Sequence, residues 1–332
     1  MEINNIKQKI FNLKDLTLEE TIYIFDLIMS GKITEINISA ILIALKLKIE
    51  TKDEILGATK IMRSKSLKID SDSLTVDTCG TGGALVNTLN ISTSAAIVAG
   101  SAGVKIAKHG NRSISSKSGS ADMLEKIGYK ISDNLNNLKS NLEKNNFCFL
   151  FAQYHHQAMK NVINVRKELG TRTIFNLLGP LTNPANAKRQ LLGVFSKKWV
   201  NIHCQVLKEL GSERVMVVHG KDGLDEISLS GVTYISELKN NIIKEYIFDP
   251  KEYGYDYIDN FDIIGGGPEY NAKKFIEMLN GKNKKFQNIV ELNAGAAIYL
   301  SGIAKNLNDG FKLAKHVIET KISKHYLEKI VQ

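Results

Sequence analysis

The 332-residue chain holds only three cysteines, Cys79, Cys148 and Cys204, an odd number with no CxxC pair. That excludes a disulfide framework and a zinc knuckle, and the three are expected as small buried hydrophobes. No uninterrupted apolar run reaches the roughly 18 residues of a membrane span, so none is expected. The opening MEINNIKQKI lacks the basic start and continuous apolar segment of a secretory signal, which makes the cytoplasm the expected location. There is no internal repeat and no low-complexity tract. With 43% hydrophobic and 24% charged residues the composition is that of a soluble globular protein, and the length suits two domains or one large α/β domain with an extra lobe.

What the chain has in excess is positive charge: 44 Lys and Arg against 35 Asp and Glu, a net +9. The excess is local, +4 within residues 101–130 and +6 within 271–332. Such a balance admits nucleic acid, an anionic surface or a phosphate-rich small molecule as partner.

Residues 1–70 read as helices only. Thr17 with Glu20 forms a capping box ahead of the stripe Leu18, Ile22, Phe25 and Met29, which Gly31 ends. Residues 36–49 are apolar nearly all round, predicting a helix buried on more than one side and a subunit interface. Thr51, with Asp53 and Glu54 behind it, starts another helix that runs to about Ser64. Beyond Leu74, β-rich runs at 74–78, 104–107, 147–151, 191–195 and 215–219 alternate with helical stretches at 94–102, 121–127, 156–169 and 198–210. That alternation predicts a mainly parallel sheet covered by helices. A further strand at 240–248 and helices from 271 onward complete the chain.

Four segments carry chemistry. Residues 77–93, DTCGTGGALVNTLNIST, run from a strand through Gly80, Gly82 and Gly83 to a helix start. Glycines let the backbone approach an anion, and a helix N-terminus offers free N–H groups. The segment is neither a Walker A loop nor a GxGxxG fingerprint. Residues 108–125, KHGNRSISSKSGSADMLE, set Lys108, His109, Arg112 and Lys117 among serines and glycines, a donor set suited to phosphate oxygens. Asp225 and Glu226 follow an apolar strand, and paired carboxylates near a polyphosphate suit Mg2+. The fourth segment, residues 164–185, NVRKELGTRTIFNLLGPLTNPA, carries Arg166.

In this order and spacing the four segments resemble the anthranilate phosphoribosyltransferases, of the nucleoside-phosphorylase-like phosphoribosyltransferase group, over about residues 17–320. The resemblance implies a helical domain over 1–72, with a helical contribution from about 166–185, and an α/β domain over 73–332 that binds phosphoribosyl pyrophosphate (PRPP). It implies a homodimer through the helical lobe and an Mg2+-assisted transfer of the phosphoribosyl group to the amino group of anthranilate. Gly80, Gly83, Ala84, Thr88, Asn90, Ile91, Ser92 and Thr93 would hold the pyrophosphate end of PRPP. Lys108, His109, Gly110, Asn111, Arg112, Ser113, Ile114, Ser115, Ser116 and Ser120 would hold its other phosphate and ribose oxygens. Ser92, Asp225 and Glu226 match the Mg2+ positions. Gly80, Asn111, Arg166, His109 and His156 match positions at anthranilate, with Arg166 on its carboxylate. No side chain is implied as nucleophile or acid/base.

The chain departs from the family pattern at Ala84 and Leu85, where Asp and Gly are usual. This removes a carboxylate from the sugar-phosphate site, and a changed Mg2+ dependence is expected. Gln157 replaces a usual Pro, with only a small local change expected. The rival readings are a pyrimidine nucleoside phosphorylase and a nucleic-acid-binding paralogue of the same fold. The second would be expected to have lost Asp225, Glu226 and Arg166, all of which are present. The C-terminal lysines, with few aromatics beside them, read mainly as a solvated surface.

Overall fold

The computed structural model describes residues 3–71, 74–83, 87–113 and 117–332. Four helices open the chain, α1 (Ile3–Phe11), α2 (Leu18–Met29), α3 (Glu35–Lys48) and α4 (Lys52–Ser64). The expected capping box of Thr17 with Glu20 forms, and Thr51, expected as a helix start, forms one with Glu54, each cap contributing about 1 kcal/mol. The buried Glu54 carboxylate also receives Lys48 Nζ at 2.7 Å and the Leu16 N–H at 2.9 Å, tying three parts of the lobe together.

The rest of the chain runs β1 (Val76–Gly80), α5 (Ile91–Ser101), β2 (Ile106–Gly110), α6 (Ser120–Lys126), α7 (Leu135–Asn145), β3 (Phe147–Phe151), α8 (Ala152–His155), α9 (Ile163–Leu169), α10 (Ile174–Leu178), β4 (Arg189–Gly193), α11 (Lys198–Glu209), β5 (Arg214–Gly220), β6 (Thr233–Lys239), β7 (Ile242–Phe248), α12 (Pro268–Leu279), α13 (Lys284–Ser301), α14 (Leu307–Glu319) and α15 (Ile322–Ile330). The sheet order is β3-β2-β1-β4-β5-β6-β7, parallel through β5 and antiparallel at β6 and β7.

Both faces of the sheet are covered, and β5 displays the alternation that follows. Val215 and Val217 face the core shared with the helical lobe, α10 and α11, while Met216 and Val218 face the core under α5, α13 and α14. Among the described residues no helix is long and apolar enough to cross a membrane. The three cysteines are buried and free.

The differences from the sequence reading have tertiary causes. The first strand lies two residues later than expected and ends on Gly80, and the following helix begins at Ile91 rather than at residue 94. The helix expected at 156–169 is broken into a 3-10 turn (Gln157–Asn161) and α9. At the break Asn161 donates to the Met29 carbonyl of α2 at 2.8 Å, a bond to the lobe that helical periodicity does not reveal. The strand expected at 240–248 starts at Ile242, because Asn240 and Asn241 both have positive φ, 52° and 60°, and turn a hairpin from β6. That Asn-Asn pair after the β-rich VTYISEL was the signal for β6, which the reading missed. The expected domain boundary at residues 72 and 73 lies outside the described residues.

Candidate active site

Chain order reverses across β1: β2 and β3 lie on one side, β4 and its successors on the other. The reversal opens a crevice at the C-terminal ends of β1 and β4, the usual ligand position in such sheets. The glycine loop leaves β1 into this crevice. Gly82 and Gly83 have φ of +66° and +76°, which favours glycine at both. Thr81 anchors the loop to β4, its N–H donating to the Gly193 carbonyl at 2.9 Å and its Oγ1 accepting the Phe195 N–H at 3.0 Å. The Gly82 N–H donates to Asp225 Oδ2 at 2.9 Å.

Helix α5 begins beside this loop. Asn90 is its N-cap but makes no capping bond with its side chain, and with the Ile91 N–H turned onto the Leu89 carbonyl at 2.7 Å the Thr93 N–H is the first-turn donor left for a ligand. The Ser92 N–H donates to Glu226 Oε1 at 3.1 Å, and Thr93 Oγ1 is buried without a partner. Ile91 turns its side chain into the core, which leaves only its backbone for the role assigned to it. Asn90 instead bonds Ser118 and receives Asn271 Nδ2 at 2.8 Å, so α12 also braces the site. Thr88 bridges to Ile264.

Asp225 and Glu226 stand opposite, and the space for them comes from glycines. A Cβ at Gly193 would lie 1.6 Å from the Asp225 carbonyl oxygen, and one at Gly80 would lie 2.5 Å from Asp225 Oδ2. Gly193→Ala is therefore expected to displace the acid loop, lowering stability by about 3 kcal/mol or more and weakening PRPP binding. Thermal melts and calorimetric titration with PRPP check this, and a variant with unchanged affinity would contradict the geometry.

Burial raises the Asp225 carboxyl, and burial together with the Asp225 charge pushes Glu226 up to about 8. Lys108, also buried, opposes this shift; its Nζ donates to the Thr78 carbonyl and lies 3.4 Å from Ser92 Oγ. Two half-buried carboxylates short of counter-charge, with the Ser92 hydroxyl near the lysine, fit Mg2+. Among the described residues no three His, Cys, Asp or Glu side chains form a complete cage. That suits an ion that retains waters and takes substrate oxygens.

The phosphate loop is closed at its neck by Asp122. One oxygen, Oδ2, accepts the Ser113 N–H at 3.0 Å and the Gly119 N–H at 2.8 Å. The chain doubles back so tightly that a Cβ on Gly119 would meet Ser113 N at 2.4 Å. Arg112, expected on a phosphate, is instead paired with Glu125 through two 2.7 Å bonds and with Asp122 at 3.1 Å. Asn111 accepts the Arg112 N–H, Gly110 ends β2, and Ser120 opens α6. Ala84, Leu85, Ile114, Ser115 and Ser116 lie outside the described residues.

His109 and His156 meet at 3.2 Å between their Nε2 atoms, both nearly buried. Burial and their mutual charge hold His109 well below its ordinary value, and burial holds His156 at about 4, so both are neutral at pH 7. Beneath them the 179–183 part of the fourth segment provides support: the Pro180 carbonyl accepts Gln190 Nε2 at 2.7 Å and Asn183 Nδ2 donates to the Ala107 carbonyl at 2.8 Å. Arg166 is half-buried with its guanidinium 5.5 Å from the Phe175 ring centroid, and among the described residues no carboxylate pairs with it. The structure thus brings Gly80, Asn90, Ser92, Lys108, Asp225 and Glu226 together, while Arg112 is paired with α6 and Arg166 lies beside Phe175. The sequence reading missed Asp122, Gly193, Asn271 and Arg172. Only Asp122, beside the serine-rich loop it closes, was within reach of local pattern.

A helical bundle beside an α/β domain, with a glycine-loop crevice at the sheet's point of reversal, is the architecture of a two-domain glycosyl transferase. The chain matches that family's helical bundle domain over residues 4–66 and its a/b domain over 72–321. It belongs to the anthranilate phosphoribosyltransferase family. It is 45% identical to the anthranilate phosphoribosyltransferase of Alkaliphilus metalliredigens, over 98% of this chain and 96% of that one. It is also 45% identical to that of Methanobrevibacter smithii, over 98% and 97%. The Thermus thermophilus crystal structure superposes with a TM-score of 0.92 at 37% identity, covering 98% of both chains. The Saccharomyces cerevisiae enzyme in complex with PRPP and Mg superposes at 0.89 with 27% identity, covering 99% of this chain and 98% of that one. These relatives favour neither rival reading.

Proposed function

We propose that the protein transfers the phosphoribosyl group of PRPP to the amino group of anthranilate, giving N-(5-phosphoribosyl)anthranilate and pyrophosphate in L-tryptophan biosynthesis. The observation that carries this reading is the convergence of the glycine loop, the α5 N-terminus and the Asp225–Glu226 pair on one crevice. The bond from C1 to the pyrophosphate oxygen breaks as the bond from C1 to the amine nitrogen forms, and the amine proton leaves to water. Positive charge grows on the sugar and negative charge on the leaving group. Oriented donors from α5 and the loop oppose the latter at no cost in reorganisation. Ser92, Asp225 and Glu226 would hold Mg2+, which would add charge neutralisation at the leaving group. Lys108 brings a cation to the same corner, Asp122 shapes the loop that takes the other phosphate, and Arg166 orients the anthranilate carboxylate. The aromatic amine is neutral at pH 7, so His109 and His156 shape the pocket and transfer no proton.

A homodimer through the helical lobe accords with the two faces of α3. Ile38, Ile41, Leu42 and Leu45 fill the lobe's own core, whereas Ile36 is 83% and Leu47 69% exposed. With Ala40 and Ile43 those two form an i, i+4, i+7, i+11 stripe suited to a second copy. A domain division near residue 72 and a cytoplasmic setting, in keeping with the reduced cysteines, complete the proposal.

The decay of anthranilate fluorescence with PRPP and Mg2+, together with a solution mass twice 36.9 kDa, tests it. Fresh protein that consumes no anthranilate would overturn the assignment.

A further inference from the structure

Thr81 is tethered to the end of β4 and Gly82 to Asp225 in the loop after β5, but Gly83 is held from elsewhere. Its carbonyl oxygen accepts from Arg172 Nη2, in the turn that joins α9 to α10. The Arg172 guanidinium lies 4.3 Å from the Phe195 ring centroid, and the Phe195 N–H in turn donates to Thr81 Oγ1 at 3.0 Å. Its positive charge also acts on Asp225. The contact is close: a Cβ on Gly83 would lie 2.7 Å from Nη2, so a side chain at 83 would push the guanidinium away. Arg166 sits six residues earlier in the same connection, on α9.

We propose that Arg172 is a positioning residue, a latch that holds the pyrophosphate loop against Phe195 and links that loop to the segment carrying Arg166. The inference rests on the function proposed above. The chemistry suits Arg and not Lys. A planar guanidinium stacks on the aromatic face while its edge donates to a carbonyl, and an ammonium cannot do both. The loop's three tethers act from different directions, and loss of the Arg172 tether leaves Gly83 held only through its neighbours. Loop order must then be gained on binding, which appears as weaker PRPP affinity and not as slower chemistry.

The test compares wild type, Arg172→Ala, Arg172→Lys and Phe195→Leu in three measurements: calorimetric binding of PRPP with Mg2+ and no anthranilate, steady-state kinetics, and thermal melting. Loss of one charge-assisted hydrogen bond predicts a roughly tenfold weaker Kd and a similarly raised KM for PRPP in Arg172→Ala, with kcat within about threefold. The melting temperature should stay within about 2 °C, since the side chain is exposed. Arg172→Lys should resemble Arg172→Ala, Phe195→Leu should show part of the loss, and millimolar guanidinium should restore PRPP affinity to Arg172→Ala alone. An Arg172→Ala protein with wild-type PRPP affinity overturns the latch. So does one whose loss is matched by a fallen melting temperature and is not rescued by guanidinium. Wild type that neither binds PRPP nor consumes anthranilate overturns instead the function on which the latch depends.

Discussion

Replacing Glu226 with Ala should lower kcat/KM for PRPP by about a thousandfold and abolish its response to Mg2+. The half-buried carboxylate lies beside Asp225 and accepts the Ser92 N–H at 3.1 Å, so its removal takes away a charge and frees the first-turn donor it orients. Removing a charged ligand or donor aimed at developing charge typically costs about 3–4 kcal/mol in the transition state. Glu226→Gln separates the two roles. The amide oxygen can still accept the Ser92 N–H, while the charge is gone, so most of the activity loss should persist. The metal-free protein should at the same time melt at the same temperature or higher. The fold disfavours the ionised form, as the raised pKa records, and a neutral isostere relieves that cost. Steady-state kinetics across an Mg2+ series and melts without metal check both halves. A Gln variant with the wild-type Mg2+ response would remove Glu226 from the metal site.

Arg166→Ala should raise KM for anthranilate by about a hundredfold while PRPP binding changes by no more than about twofold. Burial lowers the Arg166 pKa, yet the group stays cationic at neutral pH, stacked beside Phe175 and, among the described residues, paired with no carboxylate. A partly desolvated cation of this kind gains strongly from a carboxylate brought by a substrate. Losing such a pair costs about 2–5 kcal/mol. Arg166→Lys should recover only a small part, because a single ammonium cannot reproduce the two parallel bonds of a guanidinium. Separate titrations of the two substrates decide the matter; equal weakening of both would mean that Arg166 supports the fold of the crevice and not anthranilate.

The local signals were reliable where one segment made its own structure. Thr17 and Thr51 announced their caps because a capping box is complete within four residues, and the apolar runs of β3 and β5 announced buried strands because both faces of the sheet are covered. The reading failed where a distant partner intervened, as at Asn161, whose bond to Met29 accompanies the break in a helix that periodicity drew as continuous. Arg112 shows a distant pairing of the same kind in the site: α6 presents Glu125 to it, a contact that the composition of its loop did not reveal.

By itself, the sequence determined the class of fold, the helical lobe, the glycine-rich and serine-rich character of the two loops and the presence of an acid pair. Each of these is written in a short window, through backbone freedom, donor type or periodic burial. Which residues share the crevice was decided only by the tertiary structure. Strand reversal sets β1 beside β4, so that Gly193, 32 residues before Asp225 in sequence, must lack a side chain for Asp225 to approach Gly82. The Arg172 contact with Gly83 has the same origin. Close approach of groups far apart in the chain is a property of packing, and no local window of sequence contains it.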